Sequence, residues 1–198
     1  PGMMTDGIAI VVTPLIALMK DQVQNLTDRG IRALCINAGM GRREVDNALN
    51  NALYGDFKFL YVSPERLGTR LFQSYVQEMK VSYIVVDEAH CISDWGHDFR
   101  PEYCRLREVI RELSTDTPLL ATTATANNRV IEDLCEQLGD EVYISRGPLT
   151  RESLSIRLLH MPSRAERYGW ILENINKLNG SGIIYCLTRR DCDYLADF

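Results

Sequence analysis

Short apolar segments alternate with segments of helical periodicity along most of the chain. The apolar segments predict strands, since they end at glycine, proline or polar residues; they are residues 7–14, 32–37, 58–64, 81–89 and 117–125. Apolar residues recur at helical spacing in residues 15–30, 41–56, 65–80, 101–115 and 127–139. Strands that are apolar on both faces are typical of a parallel sheet covered by helices. The pattern predicts an α/β fold with a doubly wound parallel sheet and helices on both faces.

A change of pattern follows this alternation. Residues 141–162 are strand-like but polar in the middle, and Gly147-Pro148 interrupts them. The alternation then resumes with a predicted helix over 163–180, a strand over 182–188 and a further helix. We therefore expect a boundary near residue 150, with one domain over 1–150 and the beginning of a second over 151–198.

The composition is typical of a soluble globular protein, with 45% hydrophobic and 25% charged residues. No apolar run approaches the ~18 residues that a membrane helix needs, and no signal-peptide pattern is present. The six cysteines include no C-x-x-C pair, which favours reduced thiols in a cytoplasm over a zinc site or a disulfide framework. Because the net charge is −5, contact with a polyanion would require local basic patches.

Two acids follow the predicted strand YIVV. In an open parallel sheet ligands bind at the carboxyl ends of the strands, and this is where Asp87 and Glu88 are expected. An aspartate there can hold Mg²⁺, and a neighbouring glutamate can orient or deprotonate the attacking water in phosphoryl transfer. The same acids could instead complement the dipole of a following helix. The two acids alone leave both interpretations open.

The longer run VVDEAHCISDWGHDFRPEY (85–103) resembles the D-E-x-H motif of superfamily 2 helicases, continued by the aromatic-rich loop of the RecQ family. Further segments are similar to that family in the same order: VVTPLIALMKDQV (11–23), YVSPERL (61–67), ATTATA (121–126) and GIIYCLTRRDCDYLA (182–196). The resemblance implies a RecA-like motor domain and the start of a second one. It also implies ATP and Mg²⁺ as cofactors, and DNA as the partner. The implied activity is 3′→5′ unwinding of DNA in repair and recombination, in a bacterial-type cytoplasm at the nucleoid.

The resemblance also implies roles for individual residues. Asp87 would position Mg²⁺ and Glu88 would activate the water that attacks the γ-phosphate. His90 would lie between the nucleotide and Thr123 or Thr125, and would report the nucleotide state to the DNA side. A histidine that is merely hydrogen-bonded within a turn remains the alternative.

Several residues are candidates for DNA contact. Trp95 and Phe99 could stack on unpaired bases and Arg100 could meet a phosphate or a ring, although the two aromatic residues could instead fill an apolar gap. Contacts with the phosphate backbone are expected from hydroxyl and basic residues near strand ends: Thr13, Lys20, Ser63, Arg66, Arg189 and Arg190. Individually, the Thr-Pro and Ser-Pro pairs are also consistent with routine helix capping.

The phosphate-binding pattern G-x-x-x-x-G-K-[ST] does not occur in these residues, since none of the thirteen glycines is followed by lysine. In the family this loop lies upstream and later motor motifs lie downstream. We therefore expect the chain to be an internal fragment that is inactive by itself.

Two alternatives to the helicase function stay open. One is a nucleotide-independent DNA-binding, annealing or interaction module; the other is a metal-dependent hydrolase with ligands Asp87, Glu88, His90, His97 and Asp98.

Overall fold

The computed structural model describes residues 2–93, 100–106, 109, 117–125, 127–139, 142–147 and 153–197. The chain divides into two compact units, Pro1–Ile144 and Ser145–Phe198. The assignment of residues 1–150 and 151–198 to two motor domains stays a prediction. None of the helices in these described ranges has the length and apolar character needed to cross a membrane.

The first unit contains a parallel five-stranded sheet. Its strands are β1 (Ile8–Val12), β2 (Ala33–Ile36), β3 (Phe59–Val62), β4 (Val81–Val86) and β5 (Leu119–Ala121). Their order across the sheet is β2-β3-β1-β4-β5, and every pairing is parallel. Val12 at the end of β1 is in register with Val62 and Val86, so neighbouring strands end at the same edge. The predicted α/β fold with a parallel sheet is confirmed.

The helices of this unit whose bounds lie within the described residues are α1 (Ile16–Asp28), α2 (Arg42–Tyr54), α3 (Pro64–Leu67), α4 (Arg70–Val76) and α5 (Asn128–Leu138). The prediction that residues 65–80 are mostly helical is confirmed, but two helices form there, because Gly68 ends α3 and the Thr69 hydroxyl caps α4 by accepting the Phe72 N–H. The helix predicted over 101–115 begins as a 3₁₀ turn, Pro101–Arg105. Residues 107, 108 and 110–115 of that prediction lie outside the described residues.

Both faces of the sheet are covered by helices. One face belongs to a large buried cluster with α2, α3, α4 and α5, in which Leu49, Phe72 and Val130 are almost fully buried. The other face packs on α1, where Val11 of β1 lies in a smaller cluster with Met19. Successive side chains of each strand point to opposite faces of the sheet. Because helices cover both faces, the strands are apolar throughout.

The second unit contains α6 (Arg164–Asn174), a 3₁₀ turn (Ile175–Lys177) and α7 (Arg189–Ala196). Helix α6 begins with a capping box, in which Ser163 and Glu166 exchange bonds between side chain and backbone. The strands predicted over 182–188 and within 141–162 are wrong for the residues described. A strand needs a neighbour for its backbone hydrogen bonds, and the described part of this unit provides none.

Candidate active site at the carboxyl edge of the sheet

A row of polar residues follows the five strands at one edge of the sheet. In strand order the row reads Asn37, Ser63, Thr13, Asp87 and Thr122. The backbone ladder extends into it, since the Asp87 N–H donates to the Val12 carbonyl oxygen at 2.8 Å and the Thr122 N–H donates to that of Val86 at 2.8 Å. The sheet therefore places Asp87 between Thr13 and Thr122 on this edge, where ligands of open parallel sheets bind.

The two carboxylate oxygens of Asp87 are in different situations. Oδ1 accepts hydrogen bonds from the Glu88 N–H at 3.1 Å and from the Thr122 hydroxyl at 3.0 Å. Among the described residues, no donor contacts Oδ2. Because Mg²⁺ in phosphate chemistry is bound by one or two carboxylates and several waters, Oδ2 is the atom that fits such an ion.

Glu88 has an unusual backbone conformation. Among the described non-glycine residues it alone has positive φ, at 50° with ψ 45°. This left-handed conformation costs a residue with a side chain about 1–2 kcal/mol, so the surrounding structure must hold it. Its carboxylate oxygen Oε2 lies 3.3 Å from His90 Nδ1. Backbone strain of this kind is concentrated at functional sites, which supports a role for Glu88 in the chemistry.

His90 links the acid pair to the segment that follows β5. Its ring is 3% exposed, and Nδ1 lies 2.9 Å from the Thr123 hydroxyl oxygen. That hydroxyl donates to the Thr125 carbonyl oxygen and accepts the Thr125 N–H, both at 3.2 Å. A proton on Nδ1 would find an acceptor in the Thr123 hydroxyl at 2.9 Å and in the Glu88 carboxylate at 3.3 Å. The structure thus brings together Glu88, His90, Thr123 and Thr125.

Three contacts at this site were missed by sequence reasoning. Thr122 bonds the Asp87 side chain, and the Tyr103 hydroxyl donates to the Asp87 carbonyl oxygen at 3.0 Å. The Ser93 hydroxyl donates to the Asp133 carboxylate and so joins the turn after DEAH to α5. Thr122 precedes the motif residue Thr123 directly, which was a usable signal. Tyr103 ends the run 85–103 that resembles the family motif, but nothing in the sequence indicated that its hydroxyl would contact the Asp87 backbone.

The predicted DNA contacts Thr13 and Ser63 lie in the polar row but are fully buried. In the described structure, neither hydroxyl has a hydrogen-bond partner. In the described structure neither hydroxyl is accessible to a phosphate from solvent. Lys20, by contrast, is exposed on α1.

Arg66 is used within the protein. Its guanidinium donates to three backbone carbonyl oxygens of the turn after β2, those of Asn37 at 2.9 Å, Ala38 at 3.2 Å and Met40 at 2.5 Å. These bonds hold the turn next to the polar row. In the structure, the Arg66 side chain therefore positions the turn after β2, whereas the sequence predicted that it contacts DNA.

The remaining candidates fall in three places. Trp95 and Phe99 lie outside the described residues. Arg100 is half-buried, and its N–H donates to the Cys91 carbonyl oxygen at 2.9 Å. Arg189 and Arg190 are exposed in the first turn of α7 in the second unit, where the Arg190 guanidinium lies 5.4 Å from the centre of the Tyr194 ring.

The metal-hydrolase alternative gains no support from the described residues. Within them, no three His, Cys, Asp or Glu side chains converge on a common point. His97 and Asp98, which that alternative requires, lie outside the described ranges.

Comparison with known proteins identifies the family. The profile of the DEAD/DEAH box helicases matches residues 3–134, so the chain belongs to that family. The chain is 37% identical to the probable ATP-dependent DNA helicase RecS of Bacillus subtilis, over 99% of this chain and 39% of that protein. It is also 37% identical to the ATP-dependent DNA helicase RecQ of the same organism, over 100% of this chain and 33% of that protein. The resemblance to the RecQ family is confirmed.

Similarity extends to proteins from organisms other than Bacillus subtilis. The RecQ-like DNA helicase BLM of Xenopus laevis is 38% identical over 100% of this chain, which spans 15% of that protein. The crystal structure of the Pyrococcus furiosus Hef helicase domain superposes with a TM-score of 0.51 at 15% identity, over 69% of this chain and 28% of that one. The chain spans about two fifths or less of the length of these curated relatives. The structural match shows a helicase-domain fold.

Proposed function

We propose that the intact protein is a RecQ-like helicase that couples ATP hydrolysis to 3′→5′ unwinding of DNA. The observation that carries the proposal is the acid pair at the sheet edge, where one carboxylate oxygen of Asp87 has no donor among the described residues and Glu88 has a strained backbone conformation. The relatives named above are ATP-dependent DNA helicases, which supports the same activity for this protein.

On the nucleotide side, Asp87 would hold Mg²⁺ through Oδ2, directly or through water. The bound ion would supply charge neutralisation at the ATP phosphates. Glu88 would orient the attacking water and accept its proton, with its carboxylate steadied by His90 at 3.3 Å. Thr123 and Thr125 would carry the change in nucleotide state away from this site, because one hydroxyl joins them to His90.

On the DNA side, Trp95 and Phe99 would stack on unpaired bases, and Arg100 would contact phosphate at the base of the same loop. The candidates for contact with the DNA backbone are Thr13, Lys20, Ser63 and Arg66 in the first unit, and Arg189 and Arg190 in the second. Stacking and phosphate contacts tolerate any sequence, as a translocating motor requires. We place the protein in the cytoplasm at the nucleoid, acting in DNA repair or recombination.

The proposal is tested with the intact protein on two partial duplexes, one with a 3′ single-stranded tail and one with a 5′ tail. We expect ATP- and Mg²⁺-dependent unwinding of the 3′-tailed duplex, hydrolysis that rises when DNA is added, and little unwinding of the 5′-tailed control. ATP-independent annealing without unwinding would contradict the proposal and favour the nucleotide-independent DNA-binding module.

A further inference from the structure

Tyr103 is a buried residue whose hydroxyl makes a single hydrogen bond among the described residues. Its side chain is 1% exposed, and its hydroxyl donates to the Asp87 carbonyl oxygen at 3.0 Å. A buried hydroxyl is costly unless it is bonded, so a phenylalanine would fill the same space at lower cost. Burial also raises the pKa of Tyr103, which keeps the group a donor across the physiological range. The hydroxyl therefore needs an explanation beyond packing.

The carbonyl that Tyr103 contacts belongs to the peptide group between Asp87 and Glu88. The N–H of the same peptide group donates to Asp87 Oδ1 at 3.1 Å. Because a peptide group is planar, bonds at its carbonyl and at its N–H together fix its orientation. That orientation sets the backbone angle φ of Glu88, which is 50° and strained. Without the Tyr103 bond, the peptide group can rotate and relieve the strain.

Tyr103 is itself held firmly relative to the turn that contains Glu88. Its N–H donates to the Arg100 carbonyl oxygen at 3.0 Å, and the Arg100 N–H donates to the Cys91 carbonyl oxygen at 2.9 Å. Pro101 begins the 3₁₀ turn that carries the phenol ring into the core. The segment is thus attached to the DEAH turn at two points, the Cys91 and Asp87 carbonyl oxygens.

We propose that Tyr103 is a positioning residue, whose hydroxyl holds the 87–88 peptide group in the orientation that aims the Glu88 carboxylate for hydrolysis. The proposal rests on the ATP hydrolysis proposed above. Loss of the hydroxyl leaves the ring and its packing in place but releases the peptide group. The turnover number for ATP should then fall by about ten-fold, because a small misplacement of a catalytic group is costly. KM for ATP and affinity for DNA should stay within about two-fold, since Tyr103 is placed in contact with neither.

The test compares Tyr103→Phe with Tyr75→Phe in the intact protein. Tyr75 is a matched control, because its hydroxyl donates to Asp46 Oδ1 at 3.0 Å on the exposed surface between α2 and α4. A third variant carries 4-aminophenylalanine at position 103 and retains a donor at the ring para position. We expect only Tyr103→Phe to lose turnover, with recovery in the 4-aminophenylalanine variant. If Tyr103→Phe fails to fold, the comparison of the 4-aminophenylalanine variant with wild type decides, and a ten-fold loss there overturns the proposal.

Amide hydrogen exchange of a peptide covering residues 86–92 gives a readout that does not depend on activity. We expect faster exchange there in Tyr103→Phe and wild-type exchange in Tyr75→Phe. Equal turnover in the two phenylalanine variants, or unchanged exchange over 86–92, overturns the positioning role. If the wild-type protein hydrolyses no ATP, the proposed function fails, and the exchange comparison still decides whether Tyr103 holds the turn.

Discussion

The hydroxyl of Thr123 offers a sharp test of the link between the acid pair and the segment after β5. It contacts His90 Nδ1 at 2.9 Å and exchanges two 3.2 Å bonds with the Thr125 backbone. Thr123→Val keeps the shape of the side chain but removes all of these bonds. His90 Nδ1 then retains Glu88 Oε2, at 3.3 Å, as a partner.

The expected size of the effect follows from these contacts. A buried donor or acceptor that loses its partner costs about 1–3 kcal/mol. Because Glu88 remains available to His90 and Thr123 is half-buried, the lower part of that range applies, about 1.5 kcal/mol. If this energy couples nucleotide state to DNA movement, the unwinding rate should fall by about ten-fold.

The assay measures unwinding of a 3′-tailed duplex and ATP affinity for three variants of the intact protein. Thr123→Ser keeps the hydroxyl and should behave like wild type. Thr27→Val is a matched control, since the Thr27 hydroxyl bonds the Val23 carbonyl oxygen at 2.8 Å on the exposed face of α1. We expect Thr123→Val alone to unwind slowly, with ATP affinity unchanged. Equal unwinding by Thr123→Val and Thr123→Ser would refute the reasoning.

Two further predictions concern stability. Arg66→Ala removes three hydrogen bonds to carbonyl oxygens, so it should lower the free energy of unfolding by about 2 kcal/mol and the melting temperature by several degrees. Arg43→Ala, at an exposed position of α2, should leave the melting temperature unchanged. Equal melting temperatures for the two variants would contradict this prediction. Because burial raises the pKa of Tyr103, its contribution to stability is complete below about pH 10, the pKa of an unfolded tyrosine, and is lost as the pH rises above it. The free energy of unfolding, measured with urea between about pH 9 and pH 11, should therefore fall less in Tyr103→Phe than in wild type. The difference should be about 1.4 kcal/mol per pH unit above pH 10. The same pH dependence in both proteins would contradict a raised pKa for Tyr103.

The sheet was predicted well because the apolar pattern of each strand is contained within a few consecutive residues. Each strand is apolar on both faces, as is typical of a parallel sheet covered by helices, and the end of β4 then places Asp87 at the ligand-binding edge. The break between α3 and α4 was missed, because helical periodicity continues across Gly68 while the Thr69 cap starts a new helix. Here local capping prevailed over periodicity.

Tertiary contacts at the site could not be predicted from periodicity. The bonds from Thr122 to the Asp87 side chain and from Tyr103 to its carbonyl join residues 35 and 16 positions apart. The strand predicted over 182–188 failed for a related reason: its apolar pattern is present, but a strand forms only beside a partner. Which residues are apolar is a property of the sequence, whereas their partners depend on the whole fold.

The central claim is that Glu88 activates water for ATP hydrolysis, and Glu88→Gln tests it most directly. The variant keeps the size of the side chain and removes the proton acceptor, so DNA-stimulated ATP hydrolysis by the intact protein should fall by about 10²–10⁴-fold. ATP binding should be retained, and Glu65→Gln, at an exposed position in α3, should hydrolyse ATP like wild type. Hydrolysis by Glu88→Gln at the wild-type rate would contradict the account.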